Sequence, residues 1–457
     1  MEQNTLNPLS DHSTICALAT STGGAIGVIR LSGPNAIDIT EQIFRSHTGK
    51  RLSEAKANTI HYGEIVDTEG KTIDDVLVSL FRTPHSYTGE DCVEISCHGS
   101  RYILRTVLRM LSSHGCRPAQ PGEYTQRAFL NGKMDLSQAE AVADLVSASN
   151  AASHKLAISQ LKGNFSSKLQ MLRDQLLKIT SLIELELDFS DQDVDFANRE
   201  ELLQLAKDID SHISTLARSF EAGLAIKKGI PVAIIGKTNV GKSTLLNQLL
   251  HENKAIVSDI HGTTRDVIED TVDIYGITFR FIDTAGIRQT QDTVEQLGIE
   301  RTYQKLEESS IIIWLFDQQP SEEELQSIHT QTEGKKLILV HNKYDLTPNI
   351  DIKEAIHISA KQGYNIEQLE EELYQVAGIP EITENDVIVT NARHYEALIH
   401  AHKSISRVIN NLEENISGDL LSEDLRICLD QLADITGGQI TSTEVLINIF
   451  SHFCVGK

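Results

Sequence analysis

The run Ile230-Pro231-Val232-Ala233-Ile234-Ile235-Gly236-Lys237-Thr238-Asn239-Val240-Gly241-Lys242-Ser243-Thr244 sets an apolar segment, a glycine turn and the start of a helical pattern end to end. From Gly236 to Ser243 it fits G-x-x-x-x-G-K-[ST], which predicts a strand over Ile230–Ile235 and a helix through Thr244–Leu250. Glycines let backbone N–H groups curl round phosphate oxygens, and the helix N-terminus adds its partial positive charge. Asn239, Val240, Gly241, Lys242, Ser243 and Thr244 are therefore candidate phosphate-binding residues. The Lys242 ammonium would reach the β- and γ-phosphates, and the Ser243 hydroxyl would ligate Mg2+. A glycine turn that merely enters a helix is the bland alternative, and the strand before it counts against that.

Three more elements follow in the order a small GTPase requires. Asp283-Thr284-Ala285-Gly286 resembles the D-x-x-G that ends a strand at the γ-phosphate, with Asp283 holding Mg2+ through water and the Gly286 N–H sensing the phosphate. Asn342-Lys343-Tyr344-Asp345 resembles the N-K-x-D guanine reader. A carboxylate there accepts from both the ring N–H and the exocyclic amine of guanine, a donor pair that adenine lacks. Ser359-Ala360-Lys361 resembles the loop that braces the base. A lone D-x-x-G is usually just a turn, but the four elements in register predict GTP as the nucleotide. Ile287 stands where the Ras-like pattern has a glutamine, so water must be positioned by another group.

Around this core the pattern is strand–helix alternation, with strands expected at Thr278–Ile282, Ser310–Phe316, Leu337–Val340 and Ala355–Ile358. That predicts a mostly parallel sheet with helices on both faces. Before it, Leu169, Leu172, Leu176, Ile179, Ile183 and Leu187 form one helical stripe. Leu202, Leu205, Ile209, Ile213, Leu216, Phe220 and Leu224 form another after the acidic turn Asp188–Asp195. Helices resume around Arg393–Ile416 and Leu420–Ile435, and a last short one is expected from the capping box Thr441/Glu444. Such stripes need each other to be buried, which implies a bundle interrupted by an inserted domain. The first stretch reads as mixed α/β, with strands at Ala25–Leu31, Asp75–Phe81 and Cys92–Cys97 and a helix over Arg101–Leu111. The expected fold class is thus α/β plus α: an N-terminal domain at 1–125, helical parts at 126–226 and 384–457, and the inserted nucleotide-binding domain at 227–383.

The chain has 457 residues and a net charge of −24, and its pI is near 5.1. At roughly 150 residues per domain this length implies about three domains. The surplus of acid repels polyanions, so any nucleic-acid contact needs a local basic patch or a partner. No apolar run approaches the roughly 20 residues of a membrane span, and the polar start, with Glu2 and Asp11, is unlike a signal peptide. Six cysteines with no C-x-x-C pair are too sparse for a disulfide framework. A cytoplasmic, membrane-free protein is the expectation.

The segment Ser258-Asp259-Ile260-His261-Gly262-Thr263-Thr264-Arg265-Asp266 contains G-T-T-R-D. It resembles the switch of a bacterial translation-related group that includes Era, Der and MnmE (also called TrmE). The flanks resemble the MnmE family specifically. They are the terminal Cys454-Val455-Gly456-Lys457, the run Gly27-Val28-Ile29-Arg30-Leu31-Ser32-Gly33, Ser86 through Glu94, Cys97-His98-Gly99, and Pro121 through Leu136. There is no second phosphate loop, as Der would require, and the resemblance spans essentially the whole chain.

That resemblance implies a potassium-activated GTPase. Thr264 joins Ser243 on Mg2+, while Asn239 and oxygens of Ser258, Ile260 and Thr263 hold K+, which does the work of an arginine finger. Thr238 departs from the family's usual proline without removing a ligand. Glu295 is the family's candidate for positioning the hydrolytic water, and Arg288 lies in the same switch. The family adds aminomethyl or carboxymethylaminomethyl groups to carbon 5 of the wobble uridine of certain tRNAs. It acts as a homodimer, in a heterotetrameric complex with the FAD-containing MnmG (GidA). Its N-terminal domain binds 5,10-methylene- or 5-formyl-tetrahydrofolate and dimerises; Arg30, Glu94, Lys133 and Lys457 match its folate contacts.

Each of these residues also has a plainer reading. Arg30 could be a strand-edge charge and Lys133 a turn residue. Cys454 could be a nucleophile toward uridine carbon 6, with Lys457 supplying positive charge, or a thiol buried by the Phe450–Phe453 neighbourhood. Cys97-His98 is too short for a metal site and is expected to line a turn. Arg101, Arg105 and Arg109 form a basic helical stripe, either a solvated face or a contact for tRNA or the partner. The rival functions are a regulatory GTPase of ribosome assembly and a folate-dependent methyltransferase with a vestigial switch. The N-terminal domain and C-x-G-K tail disfavour the first, and the four intact GTP elements disfavour the second.

Overall fold

In the N-terminal region, residues alternate in burial with the two-residue period of strands. The computed structural model describes residues 12–188, 199–252, 270–282, 307–350, 352, 354–380, 382–383, 386–414, 416, 418–438 and 443–456. Strands β1 (Ile15–Leu18), β2 (Ile26–Ser32), β3 (Phe44–Ser46), β4 (Thr59–Val66), β5 (Thr72–Phe81), β6 (Cys92–His98) and β7 (Arg117–Pro118) form one sheet in the order β3-β4-β5-β6-β2-β1-β7. Neighbours are antiparallel except β1 and β7, which run parallel. Ile29, Leu31, Val76, Val78, Leu80, Val93 and Ile95 point to one face. They are sealed there by helices α1 (Ala36–Ile43) and α2 (Arg101–Ser113), through Ile39, Ile43, Leu104, Val107 and Leu111. The alternation sends Arg30 and Glu94, which stand opposite each other in register, to the other face.

After the sheet come α3 (Glu123–Leu130), α4 (Leu136–Ser147), α5 (Ala151–Leu161), α6 (Asn164–Asp188) and α7 (Arg199–Arg218). The stripe Leu169, Leu172, Leu176, Ile179 and Ile183 on α6 is buried, as its spacing requires. Near the entry to α3, Glu123 accepts from Arg117 Nη2 (2.6 Å), Arg127 Nη2 (2.9 Å) and the Gln120 N–H (2.8 Å). Burial raises the Glu123 carboxyl, yet these bonds outweigh it and hold the group below the ordinary carboxylate range. The stability it contributes is therefore present at neutral pH and is lost as pH falls through that lowered value.

The next strands are β8 (Ile230–Ile235), β9 (Asp270–Ile274), β10 (Ile277–Phe281), β11 (Ile311–Phe316), β12 (Lys336–His341) and β13 (Ala355–His357), in the order β13-β12-β11-β8-β10-β9. They are accompanied by α8 (Phe220–Lys228), α9 (Lys242–Glu252), α10 (Glu322–Gln331) and α11 (Ile366–Ala377). Helices cover both faces: Leu245, Leu246, Leu249, Leu369 and Leu373 pack on one, and Ile328 meets Ile235 and Ile312 on the other. Helices α12 (Ala392–Glu413), α13 (Gly418–Thr436) and α14 (Thr443–Ser451) close the chain. The chain divides into two compact units, residues 1–146, 160–211 and 400–457 in one and residues 147–159 and 212–399 in the other.

Some elements differ from the sequence expectation. The second sheet is mostly parallel, as expected, but an unanticipated strand, β9, joins β10 as an antiparallel edge hairpin. Its turn, Tyr275-Gly276, has positive φ at both residues (51° and 81°), the conformation of a two-residue hairpin turn, without the usual Asn-Gly signal. The second long helix is interrupted at Ser219, whose hydroxyl donates to Leu216 O (2.6 Å) and accepts from the Val389 N–H (3.0 Å). Cys97 and His98 lie in β6 rather than a turn, and the Asp74 carboxylate accepts from the His98 N–H and contacts its ring Nδ1 at 2.7 Å. The expected last helix is α14, and its proposed cap Thr441 lies outside the described residues.

Candidate functional site

The strand β8 delivers the chain directly into the glycine loop. Gly236 has φ 152°, and a Cβ there would run into the carbonyl oxygen of Leu315. Gly241 has φ 101°, and a Cβ there would collide with the side-chain amide of Asn342. Both glycines are thus demanded by close approach as well as by conformation. Asn239 is left-handed at φ 61°, a region asparagine tolerates. Lys242 Nζ donates to the carbonyls of Gly236 (2.7 Å) and Lys237 (2.8 Å), which keeps its charge over the loop, and Ser243 and Thr244 open the helix α9.

The loops that follow β12 and β13 are tied to this one. Asn342 is buried; its Nδ2 donates to Val240 O (2.7 Å) and its Oδ1 accepts from the Ala360 N–H (2.9 Å). Lys343 Nζ donates to Asn239 O (2.7 Å) and pairs with Asp317 at the same distance. Asp345 is exposed, with Gln362 Nε2 at 3.4 Å. Ser359 is buried and its hydroxyl oxygen has no partner among the described residues, while Lys361 is exposed. A cavity of about 360 Å3 beside the loop is lined by Lys237, Asn239, Trp314, Asp317, Glu324 and Lys343. A cradle closed to any Cβ, an exposed carboxylate and an orphaned hydroxyl between the same loops fit a guanine nucleotide. Asp317 was not anticipated, because nothing in its local sequence marks it as the partner of Lys343. Ser258, Ile260, Thr263, Thr264, Asp283, Thr284, Ala285, Gly286, Arg288 and Glu295 lie outside the described residues.

A second cluster sits on the outer face of the first sheet. Arg30 Nε and Nη2 bond Glu94 Oε1 at 2.9 and 2.8 Å, and Nη1 donates to Gly456 O at 3.2 Å. The guanidinium lies 5.7 Å from the ring centroids of both Tyr87 and Tyr124. Burial raises both phenols, with the bond to Thr125 and the charge of Arg30 opposing it at Tyr87. Arg30 is therefore no strand-edge charge, since β2 runs between β6 and β1. Lys133 is in a turn and donates to Pro84 O (2.9 Å), anchoring the loop that carries Tyr87.

The chain end is seated here too. Gly456, at φ 98°, lies against Leu18 and Ala19, and the Gly122 N–H donates to Cys454 O (3.4 Å). Phe450 and Phe453 are buried, but the Cys454 thiol is exposed, which removes the reading of a thiol buried by its aromatic neighbours. Lys457 lies outside the described residues. A bidentate cation and a carboxylate side by side under two aromatic rings suit a flat ligand with a hydrogen-bonding edge and an anionic tail. Tyr124 and Gly456 lie in runs that resemble the family, yet only the fold brings them to Arg30.

Other titratable residues stand apart from both clusters. Burial, with Asp74 adding to it, pushes the Cys97 thiol up to about 12, which makes it inert. His47, Glu64 and Asp75 bring ligating atoms within 4.8 Å of one another at the sheet surface. Arg101, Arg105 and Arg109 are all exposed on α2.

A family model described as the GTP-binding protein TrmE N-terminus matches residues 14–133, and one described as the MnmE helical domain matches residues 136–454. The chain is similar to proteins named tRNA modification GTPase MnmE. That of Bacteroides fragilis is 57% identical, with 98% of this chain and 100% of the relative covered. That of Bacteroides thetaiotaomicron is 56% identical over the same shares, and that of Flavobacterium johnsoniae 48%.

The Asn342 tie predicts that Asn342→Ala weakens GTP binding by about 30-fold, since two buried bonds of roughly 1 kcal/mol each are lost. Titration with a fluorescent GTP analogue measures this, and unchanged affinity would show that the loops keep their spacing without the amide.

Proposed function

Because the chain belongs to the MnmE family of tRNA modification GTPases, we propose that its GTP hydrolysis serves the addition of an aminomethyl or carboxymethylaminomethyl group to carbon 5 of the wobble uridine of its tRNA substrates. It is a GTP hydrolase of tRNA modification. The observation that carries the reading is the Asn342 amide, which joins the phosphate loop to the guanine-reading loops.

In this reading the backbone of Asn239–Ser243 holds the phosphates, and Lys242 offsets charge on the β- and γ-oxygens as the bond to the γ-phosphate breaks. Asp345 reads the guanine N–H and amine, and the Ala360 loop braces the base. Ser243 and Thr264, with Asp283 through water, would hold Mg2+. Asn239, Ser258, Ile260 and Thr263 would hold K+. Asn239 supports this assignment, because its bond from Lys343 uses only the backbone oxygen. These cations supply positive charge to the phosphates in the transition state. By the resemblance, Glu295 would orient the attacking water, with Arg288 in the same switch, and Thr284, Ala285 and Gly286 would serve the γ-phosphate.

The outer sheet face is read as the tetrahydrofolate site. Arg30 and the terminal Lys457 suit the anionic tail, Glu94 suits the pterin edge, and Lys133 steadies the loop carrying Tyr87. The support is the Arg30–Glu94 pair under Tyr87 and Tyr124, completed by Gly456. Segments 1–125, 126–226 with 384–457, and 227–383 then act as the folate and dimerisation domain, the helical relay and the switch. The homodimer works with an FAD-containing MnmG partner in the cytoplasm. Among the described residues no helix is long and apolar enough to cross a membrane. Cys454, exposed beside this cluster, is available as a nucleophile toward the uridine ring.

Mass spectrometry of tRNA nucleosides from cells depleted of the protein should show loss of wobble aminomethyl-type uridines, restored by wild type but not by Lys242→Ala. Unchanged nucleosides would move the ribosome-assembly role to first place. Exchanging K+ for Na+ should slow GTP hydrolysis at least about tenfold, as loss of one transition-state charge contact does; equal rates would remove the potassium site. Arg30→Ala should abolish tetrahydrofolate binding in a calorimetric titration while GTP hydrolysis persists, and a normal folate titration would count against that face.

A further inference from the structure

His341 ends β12 and His357 ends β13, and parallel pairing sets them directly opposite each other. The residue after His341 opens the Asn342–Asp345 loop, and the second residue after His357 opens Ser359–Lys361. His341 is fully buried. Its Nδ1 lies 3.0 Å from His357 Nδ1, and its Nε2 lies 3.0 Å from the hydroxyl of Thr347. That hydroxyl also donates to the carbonyl of Lys343 (3.2 Å). Phe316 stacks on the His341 ring at 5.7 Å, and the ring of Tyr344 lies 6.0 Å from His341 and 5.2 Å from His357. Tyr344 in turn stacks on Tyr364 at 5.9 Å. The imidazole pair is thus wedged beneath the residue between Lys343 and Asp345.

We propose that His341 and His357 are positioning residues for guanine recognition: their shared hydrogen bond holds the two base-reading loops at the spacing at which Asp345 and Ala360 meet one base, and it does so only while the pair holds at most one proton between the two Nδ1 atoms. This rests on the reading of those loops as the guanine reader. Among the described residues, ties between the loops include three in addition to the Gln362–Asp345 contact at 3.4 Å. The Tyr344 N–H donates to Ile358 O (3.1 Å), the Ala360 N–H donates to Asn342 Oδ1 (2.9 Å), and the imidazoles meet side by side. Of these three, only the last can be broken by protonation.

An imidazole–imidazole bond needs one Nδ1 that carries hydrogen and one that offers a lone pair. A second proton puts two N–H groups face to face at this distance. Burial pushes His341 below the ordinary histidine range, His357 pushes the same way, and Asp317 opposes them. The titratable and charged groups facing the pair are Asp317 at the end of β11, Lys343 and Tyr344 in the following loop, and Tyr364 after β13. Asp317 and Lys343 satisfy each other at 2.7 Å, so neither is available to compensate a second imidazolium. The bonded pair is therefore the neutral-pH state, and acid opens it. Neither histidine touches the nucleotide in this account; both act through the loops they steady.

The test is GTP affinity of the full chain between pH 8 and pH 5, read with a fluorescent GTP analogue, for wild type, His357→Asn and His357→Leu. An asparagine amide can donate to His341 Nδ1 or, flipped, accept from it, and it does not protonate. His357→Asn should match wild type at pH 7.5 and lose the steep part of the acid decline, which for one proton is at most about tenfold per pH unit. Protonation of GTP itself is common to all three proteins and cancels in the comparison. His357→Leu leaves His341 Nδ1 buried without a partner. It should raise the KM for GTP at least about fivefold over wild type at pH 7.5, with the gap closing toward pH 5 and kcat at saturating GTP retained, because the phosphate loop is untouched. Superimposable pH profiles for wild type and His357→Asn, or wild-type GTP affinity in His357→Leu at pH 7.5, would overturn the proposal. Absence of GTP binding by all three proteins would overturn the reading of the loops and this inference with it.

Discussion

The side-chain amide of Asn342 donates to the backbone of the phosphate loop and accepts from the backbone of the Ser359–Lys361 loop. Left unpaired at that depth, each end of the amide would cost about 1–3 kcal/mol. Paired, it sets the distance between the glycine loop and the Ser359–Lys361 loop. Other features follow from it. Gly241 admits no side chain because the amide occupies that space, and Lys343, the next residue, is placed to reach Asn239 and Asp317. The parallel strands beneath supply the loops at matching heights, so the side chains need only close short gaps.

In the other unit the comparable constraint is the seating of the chain end. Arg30 and Gly456 are 426 residues apart, yet a guanidinium hydrogen bond joins them at 3.2 Å. The seat is made by glycines, since a side chain at Gly122 would strike Phe450 and Phe453 and one at Gly456 would strike the backbone of Leu18. The sheet presents Arg30 and Glu94 as a cross-strand pair, while the aromatic rings and the chain end enclose them. A ligand site there depends jointly on the first strands and the last helix of the chain, so loosening α14 is felt at Arg30.

Much of the architecture was legible before any coordinates. The runs Ile230–Ile235 and Ile311–Phe316 read as strands because they are buried on both faces and are therefore continuously apolar. The stripe from Leu169 to Ile183 read as a helix face because its three- and four-residue spacing is what one buried side of a helix needs. The edge strand β9 was not legible. Asp270-Thr271-Val272-Asp273-Ile274 is half polar, and its turn is Tyr275-Gly276. The break at Ser219 was hidden because the apolar spacing runs through it, and a hydroxyl bonded to Leu216 and Val389 decides it. Cys454 was read as a thiol that aromatic neighbours could bury, but burial depends on which way the last turn faces.

By itself, then, the amino-acid sequence determined the phosphate-loop and N-K-x-D motifs, the succession of α/β and helical regions and the family to which the chain belongs. These are local matters: a phosphate cradle or a helix stripe requires particular residue types at fixed short spacings. Tertiary structure alone decided that the Asn342 amide spans two loops, that Asp317 answers Lys343, that Tyr87, Tyr124 and Gly456 gather round Arg30, and that His341 meets His357. Those partners are chosen by strand order, register and packing, and residues far apart in the chain carry no mark of one another until the sheets have formed.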